Sequence, residues 1–600
     1  MVYQGFVDLS LLDSGKGDLR IETHGEQRRC ELPGLQMRWR TDRADVALEH
    51  GTIALVAGDA SVGARESAAR RWIEGYLRDG YRAATGADGG FAAVIIDLAR
   101  RRVALFVDRF AIETLCYRAG DATLGFSDSA GKVPHSTGTL DPQSIYDYLY
   151  FHMIPSPRTV FADVRRVEPA HCVTVSAATA QSLRYWEPAF VENDRHDPAG
   201  RRREFAAILK SCVQQAATDS AAACYLSGGT DSSSVAGMLA QLRREPVHAY
   251  SIGFSAEGYD EMAYARIAAR HFGLVHHEHY LTPDEVVDAI PRLAASFDQP
   301  FGNSSVLPAY YCAVQAKRDG FQRMLAGDGG DELFGGNARY SVQKAFELYH
   351  TLPKFVCGAL EAAARRWTAF RRMPGLRQIG GYVRYASAPM PDRLEAFQLL
   401  DRLGNATVLD ARFLARVDPQ RPLAEQRRTW SSASARSLIN RMLVYDWKYT
   451  LADSDLPKVR QATQLAGVAV GYPFLLHAIT DFSLTLPPDW KVKRLKLRWF
   501  FKQALRDFLP PEILAKKKHG FGLPFGHWAL HHPGLRGLVG ESMDAIARRG
   551  IVRREFAQEL LERYLPEAPG YYGEMVWILM MLEQWLRAHA TETRSETCIA

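Results

Sequence analysis

The sequence predicts an α/β protein with two domains, a β-rich domain over residues 1–190 and a parallel-sheet domain over residues 200–590. A chain of 600 residues is longer than one hydrophobic core usually serves. In the first part, short apolar runs such as 91–96 and 103–107 are bounded by turn or charged residues, which is typical of strands. After residue 203, strands, glycine loops and helices alternate, and this alternation favours a parallel sheet.

Composition narrows the class of protein and its location. The stretch 187–203 is rich in proline and charge, which predicts a linker. The net charge of +6 is mild, which allows a nucleic-acid partner without demanding one, and none is expected. Eight cysteines form no CxxC pair, which predicts reduced thiols in a cytoplasmic protein. The N-terminus lacks a signal-peptide pattern, and the apolar stretch 575–582 is far shorter than the about 20 residues that span a bilayer. We therefore expect a buried helix there and no membrane association.

The elements of the second domain follow in order. A buried strand is predicted over 221–226, and apolar residues at helical spacing follow its glycine loop. A second strand is predicted over 248–254, then a helix over 262–272 that ends at Gly273. A further strand, 322–326, leads into a second glycine-rich segment. Beyond about residue 340 the pattern is largely helical.

The first glycine loop carries the most specific signal. It reads Ser227-Gly228-Gly229-Thr230-Asp231-Ser232. Glycines let the backbone approach a phosphate closely, the following helix directs its N–H groups at the same point, and the hydroxyls add donors. The lysine of a Walker A loop is absent. The run resembles the PP-loop of ATP pyrophosphatases, which cleave ATP between its α- and β-phosphates; the alternative is an ordinary strand-to-helix turn.

Two aspartates follow strand ends and predict a magnesium site. Asp231 ends the first loop, and Asp331 lies in the run Gly327-Asp328-Gly329-Gly330-Asp331-Glu332-Leu333-Phe334-Gly335-Gly336. Strand ends of an open α/β sheet converge on one crevice, and Mg²⁺ prefers oxygen ligands. The two motifs together resemble the asparagine synthetase B superfamily. The resemblance implies ATP and Mg²⁺, an adenine nucleotide alpha hydrolase-like sheet, and contacts from Leu226, Ile252, Ala326 and Gly327 to the adenosine.

The same resemblance implies a catalytic lysine. In this superfamily a lysine before a Gln-Gly-Phe-like turn reaches the reaction centre, and Lys518 precedes His519-Gly520-Phe521 here. A positioned ammonium stabilises the negative charge that grows on oxygen in both reaction steps. Lys458 is a second candidate, and its role is also implied by the resemblance. Lys516 and Lys517 are expected to be solvated.

The first domain resembles the Ntn-type sandwich of class II glutamine amidotransferases. The resemblance rests on Asp88-Gly89-Gly90-Phe91, Val107-Asp108-Arg109-Phe110 and Leu115-Cys116-Tyr117. Asparagine synthetases carry a nucleophilic cysteine at position 2, which releases ammonia from glutamine. This chain has Val2, so we expect that the glutaminase activity is lost and the domain is retained as structure or as a binding module.

A second departure concerns the acceptor. The family's glutamate, arginine and aspartate near its Pro-Phe-Leu segment are replaced by Ala469, Gly471 and Leu476. β-Lactam synthetases need a tyrosine–glutamate pair, which Ala469 removes. Lasso-peptide cyclases use a peptide α-amine, whose pKa of about 7.7–8.0 leaves it partly neutral. The prediction is a lasso-peptide cyclase that forms a macrolactam from an Asp or Glu side chain, with room for the peptide opened by the small residues 469 and 471.

Several alternatives remain open at this point. One is an ammonia-dependent asparagine synthetase-like or β-lactam synthetase-like amide ligase acting on a small molecule. Another is a tRNA-modifying PP-loop enzyme, and a third is a non-catalytic peptide-binding scaffold. For the preferred reading, the expected partners are a precursor peptide and, by resemblance, a leader peptidase and a leader-binding protein.

Overall fold

A computed structural model describes ten ranges of the chain and shows the predicted α/β fold. The described residues are 2–12, 20–59, 67–192, 197–218, 221–256, 258–366, 382–383, 385–395, 398–516 and 522–589. Antiparallel sheets occupy the N-terminal part, and a parallel sheet followed by a helical region forms the rest.

The N-terminal part is a sandwich of two antiparallel sheets. One sheet has the strand order β11-β9-β10-β1-β4-β3-β2, and the other has the order β13-β12-β8-β7-β6-β5. The strands are β1 (Tyr3–Asp8), β2 (Arg20–His24), β3 (Gln27–Leu32), β4 (Leu35–Arg40), β5 (Ala44–Glu49), β6 (Thr52–Gly58), β7 (Phe91–Asp97), β8 (Arg102–Val107), β9 (Cys116–Gly120), β10 (Thr123–Ser127), β11 (Arg165–Arg166), β12 (His171–Val175) and β13 (Ala180–Arg184).

Strand β7 shows why this part was recognisable as β-rich. Every residue of β7 is buried, because one face packs on the other sheet and the opposite face packs under a helix. Val94 belongs to the core between the sheets, whereas Phe91 packs with its ring centroid 5.0 Å from that of Trp72 in helix α1 (Ala68–Asp79). Burial on both faces produces a continuous apolar run. The predictions for 91–96 and 103–107 are confirmed.

The second part is built on a five-stranded parallel sheet. Its order is β16-β15-β14-β17-β18, and each neighbouring pair is parallel. The strands are β14 (Ala222–Tyr225), β15 (His248–Gly253), β16 (Val275–Tyr280), β17 (Arg323–Leu325) and β18 (Ala469–Gly471); a separate two-stranded ribbon joins β19 (Val492–Lys493) and β20 (Lys496–Leu497).

Helices flank this sheet and make up most of the chain beyond residue 340, as predicted. The first helices are α1, given above, α2 (Pro142–Phe151), α3 (Pro198–Ala216), α4 (Thr230–Leu242), α5 (Met262–Phe272), α6 (Pro283–Ser296), α7 (Val306–Arg318), α8 (Gly330–Phe334), α9 (Ala338–His350) and α10 (Lys354–Arg366). The later helices are Leu399–Leu403, Asn405–Val408, Ala411–Leu414, Arg421–Ser432, Leu438–Asp446, Leu456–Ala466, His477–Leu484, Pro488–Lys491, Trp499–Ala504, Pro511–Ala515, Phe525–His531, Pro533–Arg548, Arg554–Glu559, Leu565–Glu567 and Pro569–His589.

The two parts share buried contacts. Helix α2 lies in the same hydrophobic core as the last helix, Pro569–His589, and the Tyr148 hydroxyl donates to the Ile578 carbonyl at 2.8 Å. Arg323 on β17 pairs with Asp59 of the sandwich at 2.9 Å. Between the parts, helix α3 begins at Pro198 inside the predicted linker, because the Asp197 side chain caps it.

The apolar stretch 575–582 lies within the last helix and is buried, as predicted. Across the described ranges, the helices are all too short or too polar to cross a membrane. The seven described cysteines are free, and six of them are buried.

Lys491 is a buried cation whose cost depends on pH. Its side chain is 1% exposed, and its ammonium lies 3.1 Å from the Asn440 side-chain oxygen and 4.7 Å from the ring centroid of Phe190. Burial lowers the pKa of Lys491 to about 7. The unfolded chain, with a lysine pKa of about 10.4, therefore binds more protons between these two values, and stability rises with pH across that window.

We expect Lys491→Met to be more stable than the natural chain at neutral pH, with a gain that shrinks towards pH 10. Urea unfolding at three pH values between 7 and 10 measures this difference in free energy of unfolding. Lys354→Met, at an exposed position in α10, is the matched control and should show no such trend. A gain that is constant or grows with pH would contradict the assignment.

Candidate active site

A cavity of about 940 Å³ opens where β14, β15 and β17 end. Leu226, Ile252 and Gly327, at or just beyond these strand ends, line it. In parallel α/β sheets this edge is where ligands bind. The cavity is therefore the candidate active site.

The glycine loop between β14 and α4 forms one wall. Gly228 has a φ of +65°, and a Cβ there would lie 2.4 Å from the Ala265 backbone nitrogen, so a side chain is excluded. The Ser227 hydroxyl is 3.0 Å from the Ser232 hydroxyl and accepts from the Gly229 N–H at 3.3 Å. These bonds close the loop and place the N-terminus of α4 at the cavity, where its dipole favours an anion.

The structure brings most of the predicted site residues together. Ten of the twelve that it describes line the cavity, namely Leu226, Ser227, Gly229, Thr230, Asp231, Ser232, Ile252, Gly327, Asp331 and Lys458. Gly228 and Ala326 do not line it: Gly228 turns against α5, and Ala326 is 1% exposed with its N–H bonded to the Gly471 carbonyl at 3.0 Å, so their contacts with a nucleotide stay predictions. The predicted catalytic Lys518 falls in 517–521, outside the described residues.

Asp231 and Asp331 meet at one point, although they are far apart in the chain. Both carboxylates contact the guanidinium of Arg498, which also contacts the Thr230 hydroxyl. Two carboxylates at the phosphate-binding loop are a donor set that fits Mg²⁺. Arg498 was not predicted, because an arginine beside a short helix carries no signal in a single sequence.

A second charged group also lines the cavity. The Lys458 ammonium is 2.7 Å from an Asp455 side-chain oxygen. Burial would lower the pKa of Lys458, but Asp455 and Asp328 outweigh it and hold the pKa above its usual value. Burial raises the pKa of Asp328 to about 6, against the influence of Lys458. The sequence analysis did not single out Asp328 or Asp455.

Lys516 is a correction. It was expected to be solvated, but its side chain is 10% exposed and its ammonium lies 3.3 Å from the Ser227 carbonyl and 3.1 Å from a Glu261 side-chain oxygen. It also lies 4.7 Å from the ring centroid of Tyr264. Lys516 therefore packs against the glycine loop and lines the cavity.

Comparison with known proteins identifies the family. A family model described as asparagine synthase matches residues 204–587. The chain belongs to the asparagine synthase family. A second model, described as a glutamine amidotransferase domain, matches residues 67–186.

Curated relatives cover most of this asparagine synthase family chain at low identity. The chain is 22% identical over 498 residues to "Asparagine synthetase [glutamine-hydrolyzing] 1" of Bacillus subtilis (strain 168), covering 80% of this chain and 74% of that protein. It is 24% identical over 521 residues to a "Putative asparagine synthetase [glutamine-hydrolyzing]" of Mycobacterium tuberculosis, covering 81% and 73%. "Amidase chyE" of Penicillium rubens is 21% identical over 540 residues, covering 79% and 75%.

Membership in the asparagine synthase family confirms the predicted reaction class. The chain is an ATP-dependent, AMP-forming carbon–nitrogen ligase. The fold agrees, since a glutaminase-like sandwich precedes a parallel-sheet domain of the PP-loop kind.

The three departures from the asparagine synthase family pattern lie away from the cavity wall. None of Ala469, Gly471 and Leu476 lines the cavity. A Cβ at Gly471 would meet the Leu325 side chain at 2.9 Å and the Ala216 carbonyl at 3.0 Å, and Leu476 faces Gly89 of the sandwich. The expectation that small residues at 469 and 471 open room for a peptide is therefore wrong.

The thiols of the glutamine amidotransferase-like part are all buried. Cys30, Cys116 and Cys172 are at most 1% exposed. Burial raises the pKa of the Cys30 thiol to about 11 and raises the pKa values of the other two as well. At position 2, the Val2 N–H donates to an Asp128 side-chain oxygen at 2.7 Å. A thiolate nucleophile is thus not supplied by these positions.

Proposed function

We propose that this ligase forms a macrolactam within a ribosomal precursor peptide of the lasso kind. An Asp or Glu side-chain carboxylate of the peptide attacks the α-phosphate of ATP, and pyrophosphate leaves. The N-terminal amine of the same peptide then attacks the acyl carbon, and AMP leaves. The product is the peptide less one water.

The observation that carries the proposal is the burial of every thiol in the glutamine amidotransferase-like part, which bears on where the amine comes from. The thiols of the glutamine amidotransferase-like part are buried with raised pKa values, and position 2 is a valine. Nucleophilic release of ammonia from glutamine requires an accessible thiolate. An amine that arrives on the substrate itself removes that requirement.

The charged side of the cavity suits a peptide α-amine. Such an amine has a pKa of about 7.7–8.0, so a weak carboxylate base is enough to take its proton. Asp328, with a pKa of about 6, lines the cavity and is ionised at neutral pH. Lys458 also lines the cavity, and its ammonium would stabilise negative charge that develops on the acyl oxygen.

The phosphate side of the cavity orients the nucleotide. The N-terminus of α4 opens into the cavity, and Ser227 and Thr230 line it there, where a polyphosphate would lie. Asp231 and Asp331 would hold Mg²⁺, which neutralises charge on the polyphosphate when bound. Holding both reactants in one cavity supplies much of the rate through proximity.

The second candidate is an ammonia-dependent amide ligase acting on a small carboxylic acid. The curated relatives named asparagine synthetases favour it. It differs from the first proposal in the acceptor, since free ammonia would replace the peptide amine.

Mass spectrometry tests the proposal directly. The protein is incubated with Mg·ATP and the short peptide encoded beside its gene, with and without a neighbouring leader peptidase and leader-binding protein, and AMP is followed in parallel. The expected result is a peptide mass lower by one water, with AMP formed in step.

Parallel reactions separate the two candidates. Aspartate or glutamate with ammonium chloride replaces the peptide in one reaction, and an Asp331→Asn variant serves as the inactive control in both. AMP formed with ammonium and a small acid, but not with the peptide, would overturn the macrolactam proposal and leave the ligase class intact.

A further inference from the structure

Arg498 occupies a position between the two carboxylates that would hold the metal. Its side chain is 5–6% exposed, and one terminal nitrogen lies 2.5 Å from an Asp231 oxygen, while the same nitrogen contacts Asp331. The other terminal nitrogen contacts Thr230 and the second Asp231 oxygen. The guanidinium therefore bridges the glycine loop 227–232 and the second glycine-rich segment, 327–336.

The backbone fixes this arrangement. Arg498 has a φ of +52°, in the left-handed region that non-glycine residues rarely adopt, and it immediately precedes the helix Trp499–Ala504. Its N–H donates to the Gly335 carbonyl at 3.2 Å. Gly336 has no side chain, and a Cβ there would collide with the Arg498 and Asp331 side chains. A conformation of this kind is retained where the surrounding structure requires it.

Arg498 and a divalent cation need the same oxygen atoms. A guanidinium forms short, directional bonds to carboxylate oxygens, and Mg²⁺ requires such oxygens in its own coordination shell. Two like charges on one pair of carboxylates also repel each other. Binding of the metal to Asp231 and Asp331 must therefore break the contacts that Arg498 makes with them.

A displaced Arg498 has an anion within reach. Its contact with Thr230 places it at the N-terminus of α4, where a polyphosphate would lie. Arginine suits this task, because its planar fork binds carboxylate and phosphate oxygens equally well. Lys502 lines the cavity in the next turn and adds positive charge there.

We propose that Arg498 is a positioning residue that exchanges partners during substrate binding. It holds Asp231 and Asp331 together until a metal–nucleotide complex arrives, and it then transfers to the polyphosphate. The exchange makes metal binding dependent on the nucleotide, because metal alone would have to displace Arg498 without offering it a new partner. This inference rests on the ATP-dependent ligase reaction and is independent of the peptide proposal.

Binding measurements on the full chain test the exchange without turnover. Mn²⁺ is titrated in the absence of nucleotide, and pyrophosphate is titrated calorimetrically in the presence of Mg²⁺. For Arg498→Gln we expect Mn²⁺ alone to bind about tenfold more tightly than in the natural chain, because no guanidinium competes for the carboxylates, and pyrophosphate to bind about tenfold more weakly, because a charge-assisted hydrogen bond is lost.

Two further variants complete the test. Arg506→Gln, an exposed arginine in the same segment, is the matched control and should behave as the natural chain. Arg498→Lys keeps the charge but cannot bridge both carboxylates, so it should also bind Mn²⁺ more tightly, and it serves if Arg498→Gln fails to fold. Unchanged Mn²⁺ affinity in the folded variant, or unchanged pyrophosphate affinity, overturns the proposal. Neither outcome bears on whether the acceptor is a peptide.

Discussion

The Gly330→Ala variant is expected to remain folded and to lose AMP formation by at least about 100-fold. A Cβ at position 330 would lie 2.4 Å from one side-chain oxygen of Asp231 and 2.5 Å from its carboxyl carbon. The Asp231 carboxylate must therefore shift, which disturbs the pair that would hold the metal. Loss of one positioned charge at a reaction centre typically costs about 100- to 1,000-fold in rate. A coupled assay for AMP measures the effect.

A glycine in open space provides the control for this substitution. Gly540 lies within the helix Pro533–Arg548, and a Cβ there meets nothing within 4 Å. Gly540→Ala should keep full AMP formation and be as stable as the natural chain or more so, because alanine favours helix. Near-normal AMP formation by folded Gly330→Ala would show that the position of Asp231 does not limit the reaction.

Lys458→Met is expected to lower both stability and activity. The Lys458 side chain is 14% exposed, its ammonium lies 2.7 Å from Asp455, and the charge of Asp328 also acts on it. Methionine fills similar space without the charge, so two half-buried carboxylates lose their compensating charge, at a cost below the about 3–5 kcal/mol that is typical of a fully buried pair. We also expect amide formation to fall by about 100- to 1,000-fold, because no cation then faces the acyl oxygen. Urea unfolding and product formation are measured on the same preparations.

A double variant separates the structural role of Lys458 from its catalytic one. Lys458→Met with Asp455→Asn removes one of the uncompensated charges, so most of the stability should return. Activity should not return, because the cation is still missing. Recovery of both properties in the double variant would assign Lys458 a structural role only.

The sequence predicted the elements whose environment is uniform. Strands β7 and β14 are buried on both faces and produced nearly continuous apolar runs, and the mostly buried β15 kept enough apolar residues to be predicted as well. Strand β16 was missed, because it is the edge strand of its sheet and its residues, Val275-His-His-Glu-His-Tyr280, are half exposed and mostly polar. Strand β18 is three residues long and pairs with β17 across some 140 residues of chain, which no local pattern reveals.

The residues of the candidate site also differ in whether the local sequence predicts them. The loop 227–232 and Asp331 were found because glycines and carboxylates at fixed spacing carry their chemistry in the local sequence. Arg498 and Asp455 reach the cavity only through tertiary packing. The expectation that Gly471 opens room for a peptide failed for a related reason. A substitution relative to a family pattern gives the size of a side chain but not the direction in which it would point. Position 471 faces α3.

Helix α2 has a consequence for how the protein can be divided. Its Tyr148 is bonded inside the helical core of the ligase part, Arg166 pairs with Asp453 at 3.1 Å, and Arg323 pairs with Asp59 across the boundary. A fragment starting near residue 198 would lose a piece of its own core, the pair of Arg323 with Asp59 and the pair of Asp453 with Arg166. The sandwich is thus not a removable appendage. Its contacts make it part of the scaffold that surrounds the ligase part.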